Sequence, residues 1–206
     1  MLRIRNLSLS YGVQPVFSGV TFDVRRGDIV CVCGESGCGK SSLLKSVLGF
    51  VDAEGSIEVG GIPLAESTVD EVRRCMAYLP QDLSLPYDTV EEMVRAPFDL
   101  RANRHIVFSE EQLMSDWKRL GLSGGLMAKR ATEISGGQRQ RIMLSVAGLL
   151  GKPLLLADEP TSALDEDTTL LVLDYLRMLA KERGIAILLV SHSPAVMAGC
   201  TSCVHL

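Results

Sequence analysis

Gly34, Gly39, Lys40 and Ser41 are spaced as G-x-x-x-x-G-K-S, within a loop that runs Gly34, Glu35, Ser36, Gly37, Cys38, Gly39, Lys40, Ser41, Ser42. Glycines let successive backbone N–H groups turn inward around an anion, and a helix beginning at the end of such a loop adds its dipole. A lysine at this spacing reaches the β- and γ-phosphates of a nucleoside triphosphate, and the next hydroxyl sits on Mg²⁺. Ser42 is placed for the α-phosphate. A ligand-free glycine turn is the alternative, but the apolar run before the loop and the helical pattern after it favour a phosphate cradle.

A second group of candidate residues lies in "LLLADEP", where Asp158 and Glu159 end an apolar run. Ligands of open α/β sheets collect at the carboxyl ends of strands. Asp158 is a natural Mg²⁺ partner, and Glu159 can polarise an attacking water as a general base. Two adjacent acids could also be a solvated turn; their pairing with the first loop argues for chemistry.

The third feature is another glycine loop, "ISGGQRQR" at 134–141. One nucleotide needs one phosphate cradle, so Ser135, Gly136, Gly137 and Gln138 are either a helix cap or a contact to a phosphate held by something else. Serine is a good N-cap. The loop precedes the acids by about 23 residues and is not beside the first loop.

The elements that must position these groups are legible in outline. Leu2, Ile4, Leu7 and Leu9 are interleaved with polar residues, and "VFSGVTFDV" follows, which predicts antiparallel strands. "GDIVCVCG", then "KSSLLKSVLGF", reads as strand, loop and helix. "PLLLADEP", a helical pattern over "DTTLLVLDYLRMLAKERG" and the apolar "IAILLVSH" predict buried parallel strands covered on both faces. From about 82 to 150 the pattern is helical, which predicts a helical subdomain inserted into an α/β core.

A chain of 206 residues is long enough for one domain. A net charge of −4 and a pI near 5.4 give no overall electrostatic case for binding nucleic acid. No apolar run reaches the roughly 18 residues that span a bilayer, and the start lacks a secretion signal, so the expected location is the cytoplasm. The six cysteines do not resemble a secreted disulfide framework. Cys31 and Cys33 alternate in an apolar strand and read as core. Cys200 and Cys203 have C-x-x-C spacing, which could hold a metal, but no second ligand pair lies nearby in sequence, so plain thiols are favoured.

Taken in order, "GESGCGKSS", "ISGGQ", "LLLADEP", "SALD" at 162–165 and Ser191-His192 resemble the nucleotide-binding subunit of ATP-binding-cassette (ABC) proteins, over nearly the whole chain. The resemblance implies a P-loop NTPase core with mixed sheet, an N-terminal antiparallel β subdomain and an inserted helical subdomain. It implies ATP and Mg²⁺ as ligands, with Glu35, Ser36, Gly37 and Cys38 in the cradle. It also implies two copies head to tail, as a homodimer or with a second ABC subunit, so that Ser135 to Gln138 close on the neighbour's ATP. In this family an aromatic at the place of Tyr11 stacks on adenine; a strand-end tyrosine is otherwise core or surface. Gln81 in "YLPQD" matches the glutamine that senses Mg²⁺ and the attacking water, Asp165 would cross the dimer interface, and His192 would contact the γ-phosphate.

Ile134 stands where leucine is usual, a mild change; Val146 stands where arginine is frequent and Ser193 where aspartate is common, and these two bear on salt bridges that tune closure. The implied function is ATP hydrolysis driving transport through a separate membrane permease, docked near Gln81 and "DLSLPYDTVEEMVRAPFDLR". The chain would then be peripheral on the inner face of the membrane. A soluble ABC ATPase of repair, translation or assembly is the alternative; the long coiled coil and the second cassette of those types are missing. A small-molecule kinase would leave "SGGQ", "SALD" and His192 without a purpose. "DTVEEMVRAPFDLRANR" resembles small stand-alone ATPases of metal-exporter type, iron exporters included, while lipid, peptide, drug or metabolite cargo fits the cassette equally.

Overall fold

The computed structural model describes residues 1–83 and 86–206. Ser84 and Leu85, inside the stretch expected to dock a permease, lie outside the described residues.

The α/β character divides between two sheets. Strands β1 (Leu2–Tyr11), β2 (Gln14–Val24), β4 (Glu54–Val59) and β5 (Ile62–Pro63) form an antiparallel sheet in the order β2-β1-β4-β5. Leu2, Ile4, Leu7 and Leu9 are its buried face. The alternation skips a residue between Ile4 and Leu7 because β1 bulges at Asn6, whose φ is 49°; asparagine enters this left-handed region more easily than most residues. Gly55 meets the bulge, and a Cβ there would sit 2.6 Å from the Asn6 carbonyl oxygen.

Strands β3 (Ile29–Cys33), β6 (Met76–Leu79), β7 (Leu154–Asp158), β8 (Ala186–Val190) and β9 (Ser202–His205) form a parallel sheet in the order β6-β7-β8-β3-β9. Its strands alternate between two apolar layers. Val30, Val32, Leu154, Leu156, Leu188 and Val190 face the antiparallel sheet and helix α1 (Lys40–Val47). Ile29, Cys31, Cys33, Leu155, Ala157, Ile187 and Leu189 face the layer that includes α6 (Glu166–Lys181). Burial on both faces explains why these strands read as unbroken apolar runs.

Between β6 and β7 the described residues hold helices and no strand of either sheet. Helix α3 (Val90–Asp99) starts in a Thr89–Glu92 capping box, α4 (Glu110–Arg119) is capped by Ser109, two short 3₁₀ turns follow, and α5 is Gly136–Leu149. A buried polar knot helps to join this region to the core. Asp116, fully buried on α4, accepts from Tyr175 Oη at 2.7 Å and from Arg183 Nη2 at 2.6 Å. The neighbouring Trp117 donates to Ser145 Oγ on α5 at 3.0 Å. Helices α2 (Val69–Arg74) and α7 (Pro194–Ala198) complete the chain.

Candidate functional site

The first glycine loop connects β3 to α1, as its pattern predicts. Gly39 has φ 98°, and a Cβ there would collide with Val16 of β2, so this position requires glycine twice over. Lys40 folds back on its own loop: its Nζ donates to the carbonyls of Gly34 at 2.9 Å and Glu35 at 2.8 Å.

Four adjacent strands bring the other groups to the same edge. Gln81 follows β6, Asp158 and Glu159 end β7, and Ser191 and His192 follow β8, each at a carboxyl end beside the loop after β3. They surround a cleft of about 350 Å³ lined by the loop, Lys40, Ser41, Ser42, Gln81, Glu159 and His192. Tyr11, at the end of β1 and exposed, has its hydroxyl 3.5 Å from Ser42 Oγ, which places the ring at the rim near the loop.

The two acids differ. Asp158 is 4% exposed and takes a hydrogen bond from Ser41. Burial lifts its pKa above the usual carboxylate range, against the pull of the Ser41 hydrogen bond; Glu159 pushes the same way as burial, while Lys45 and Lys40 oppose it. Its Oδ1 is buried with no hydrogen-bond partner. Glu159 sits at φ 48°, a left-handed conformation that is strained for a side chain of this length. Its amide donates to Val190 O at 3.1 Å, Ser162 Oγ donates to its carbonyl at 3.1 Å, and its Oε1 lies 2.8 Å from His192 Nδ1. The glutamate is 8% exposed, whereas the His192 side chain is 72% exposed.

The second glycine loop is elsewhere. Ser135 N-caps α5 in a closed capping box: Gln138 N donates to Ser135 Oγ at 3.1 Å and Ser135 N to Gln138 Oε1 at 3.0 Å. Ser135 and Gly136 are exposed, and none of residues 135–138 lines the cleft around Lys40. Gly137 packs on the "SALD" turn, with Ala163 O 3.0 Å from where its Cβ would be. Asp165 in that turn is exposed and N-caps α6 through Thr168 N at 2.8 Å, and this backbone hydrogen bond holds its carboxyl below the ordinary range.

Gln140 escaped the sequence reading. It is 3% exposed on α5, and its Nε2 donates to Glu159 O at 2.8 Å. Arg139 beside it donates to Ala131 O at 2.7 Å and to Leu83 O at 3.4 Å, reaching the segment after Gln81. The signal was available in "QRQR", a polar run continuing into a helix whose later turns are buried.

A family model described as ABC transporter matches residues 17–162. The chain is 35% identical to the hemin import ATP-binding protein HmuV of Shewanella denitrificans, over 93% of this chain and 78% of the relative. It is 37% identical to the phosphonates import ATP-binding protein PhnC of Hyphomonas neptunium, over 93% and 77%. It also spans 36% of the length of a longer relative, a probable ABC transporter ATP-binding/permease protein of Haemophilus influenzae, at 34% identity over 96% of this chain. Among solved structures, a dimeric bacterial ABC transporter cassette superposes with a TM-score of 0.87 at 25% identity, over 100% of this chain and 94% of that one. The phosphate loop, the acids at the end of β7 and the second glycine loop on α5 thus belong to a chain of the ABC transporter family, as one of its ATP-binding and ATP-hydrolysing cassettes.

Proposed function

We propose that this cassette binds ATP with Mg²⁺, pairs head to tail with a second cassette and transmits the closing and opening of the pair to a separate transmembrane permease. The observation that carries the reading is the exposed N-terminus of α5, remote from the cleft that contains Lys40. A helix end with a serine and free backbone donors suits a phosphate, and the phosphate it suits is one presented by a facing copy. Asp165, exposed beside it, would then lie in the interface.

Within one copy the loop from Gly34 to Ser42 would hold the triphosphate, and Tyr11 would lie against the adenine. The residues fit a divalent cation: Asp158 has a buried oxygen without a partner, and the Ser41 hydroxyl is bonded to the same carboxylate. When bound, Mg²⁺ supplies charge neutralisation on the phosphates. Glu159 is the base that takes a proton from the attacking water, with Gln81 orienting that water. His192 positions the glutamate and meets the γ-phosphate, and Lys40, exchanging its loop carbonyls for phosphate oxygens, stabilises the charge on the transferred group, together with Ser135 of the facing copy. Loss of the γ-phosphate removes what joins the copies, and the pair opens.

No helix among the described residues is long and apolar enough to cross a membrane, which supports a cytoplasmic cassette held at the membrane by its partner. The docking surface falls near Gln81 and the start of α3. For cargo the lead is export of metal ions, iron included, on the likeness of the stretch from Asp88 to Arg104 to metal-exporter ATPases; lipid, peptide, drug or metabolite cargo fits the cassette equally, and the membrane subunit sets the direction. The relatives differ among themselves, one named for hemin and another for phosphonates.

Glu159→Gln tests the chemistry. It should retain ATP binding, accumulate an ATP-bound dimer by light scattering, and lose more than about 100-fold in turnover. Normal turnover would remove Glu159 as the base. Recovery of a polytopic membrane protein with the tagged variant from detergent-solubilised membranes supports transport; recovery of soluble partners alone assigns the cassette to other work.

A further inference from the structure

The thiols that sequence spacing left unassigned meet on one face of the parallel sheet. Strands β3 and β9 are neighbours with Cys31 opposite Cys203 and Cys33 opposite His205. Because side chains alternate with period two, all four share a face. Cys200, between α7 and β9, joins them as a near neighbour of Cys31; the thiols of Cys31, Cys200 and Cys203 donate to the main-chain carbonyls of Ser191, Val196 and Met197. Cys33 Sγ lies 3.3 Å from His205 Nδ1. The C-x-x-C pair therefore has its second pair after all, supplied by the fold from a strand some 170 residues earlier. Among the described residues no group of three or more histidine, cysteine and acid side chains is placed to hold a metal ion.

Position decides which sulfurs can join. Facing residues on adjacent strands are roughly 4.8 Å apart, inside the span of about 4.4–6.8 Å that a disulfide bridges between Cα atoms. Cys33 and Cys203, offset by two residues along the strands, are roughly 8 Å apart and beyond it. Strand β9 is the sheet's outer strand, so Cys203 is exposed while Cys31 behind it is fully buried. An oxidant meets Cys203 first, and Cys31 is the thiol directly opposite.

We propose that Cys203 and Cys31 are a reversible dithiol, oxidised by hydroperoxides to a disulfide that staples the outer strand to the strand carrying the phosphate loop. The Cys203 sulfur attacks one peroxide oxygen, the O–O bond breaks, and with hydrogen peroxide the products are a sulfenic acid and one water. The Cys31 sulfur then attacks the Cys203 sulfur; the S–O bond breaks, and the leaving hydroxide takes the Cys31 proton, which faces the Ser191 carbonyl in the reduced protein, as a second water. Two thiols lose two electrons and the peroxide gains them. Partial burial and the facing Cys31 raise the Cys203 thiol pKa, so the site answers sustained oxidant more than a brief pulse. The staple closes just below the glycine loop: Leu206 N donates to Cys33 O at 3.0 Å, and Gly34 starts the loop at the next residue.

The test is direct assignment of sulfur bonds. The purified chain is treated with hydrogen peroxide, its free thiols are alkylated, and it is digested without reductant and sequenced by fragment ions. The expected result is a Cys31–Cys203 link that dithiothreitol removes, with a thermal midpoint raised by about several degrees in the wild type and in C200A but unmoved in C203S. Because the linkage is read on wild-type protein, it does not depend on any variant folding. A link from Cys203 to Cys200 or Cys33, a link between two chains, or Cys203 driven to sulfinic acid while Cys31 stays alkylatable would overturn the assignment.

Discussion

Gln140 Nε2 donates to the main-chain carbonyl of Glu159 at 2.8 Å, so a buried amide on α5 holds the backbone of the acid that ends β7. The bond lies between the helix that begins at Ser135 and the strand end in the cleft. It also acts on a residue held at φ 48°. Gln140→Leu removes the donor while keeping the volume. A buried hydrogen bond contributes about 0.5–1.5 kcal/mol, so turnover should fall by about 2- to 13-fold, with the KM for ATP little changed. A raised KM with unaltered kcat would place Gln140 in nucleotide binding instead.

Asp158 predicts an unusual stability profile. Its folded pKa is raised above the ordinary 3.8, mainly by burial. The folded state therefore holds the proton more tightly, and the stabilisation this gives is complete below the ordinary value and is lost as pH rises through the raised one. Nucleotide-free Asp158→Asn should melt above the wild type at neutral pH, the gap closing on acidification, and should lose the upward shift that Mg²⁺ and ATP give the wild type. Thermal scans from pH 4 to 8 decide it, since a gap that does not change with pH refutes burial as the cause.

Ser135 separates capping from recognition. Ser135→Ala breaks the capping box and should lower stability by about 1 kcal/mol, a few degrees at this size. In a Glu159→Gln background it should also abolish the dimer formed with ATP while leaving ATP binding by the monomer intact. If ATP still yields the dimer, this loop is only a cap.

Asp116 joins the helical region to α6 and the residues just after it. Asp116→Ala strands Tyr175 and Arg183, and removing one partner of a buried pair costs about 3–5 kcal/mol. The thermal midpoint should fall by about 6–20 °C. Tryptophan fluorescence should follow the loss, because Trp117 is the neighbouring residue and the only tryptophan. A shift under about 2 °C would mean that the knot is replaceable.

The elements around the cleft were legible because the chemistry is local. Each of β3, β7 and β8 is an apolar run ending in the residues it presents, so strand and site announce one another. β4, β5, β6 and β9 were not separated out. "MAYL" and "SCVH" are only four residues long, too short for a period to declare itself, and β9 is exposed at the sheet's edge. The bulge at Asn6 breaks the alternation of β1 without erasing it. Among site residues, motifs reveal groups that act alone or in one loop; Gln140 is defined only by a carbonyl 19 residues away. The cysteines show the same limit, since the partners of a C-x-x-C pair belong to another strand.

The self-bonded Lys40 acts as a selectivity threshold. An ammonium already held by two carbonyls, at 2.9 and 2.8 Å, is not a bare charge waiting for any counterion. Chloride or a single weakly held carboxylate offers it less than it has, whereas a chain of phosphates, gripped at the same time by the loop amides, offers more. The resting loop thus sets a minimum bid, which an anion must exceed to draw Lys40 from its two carbonyls.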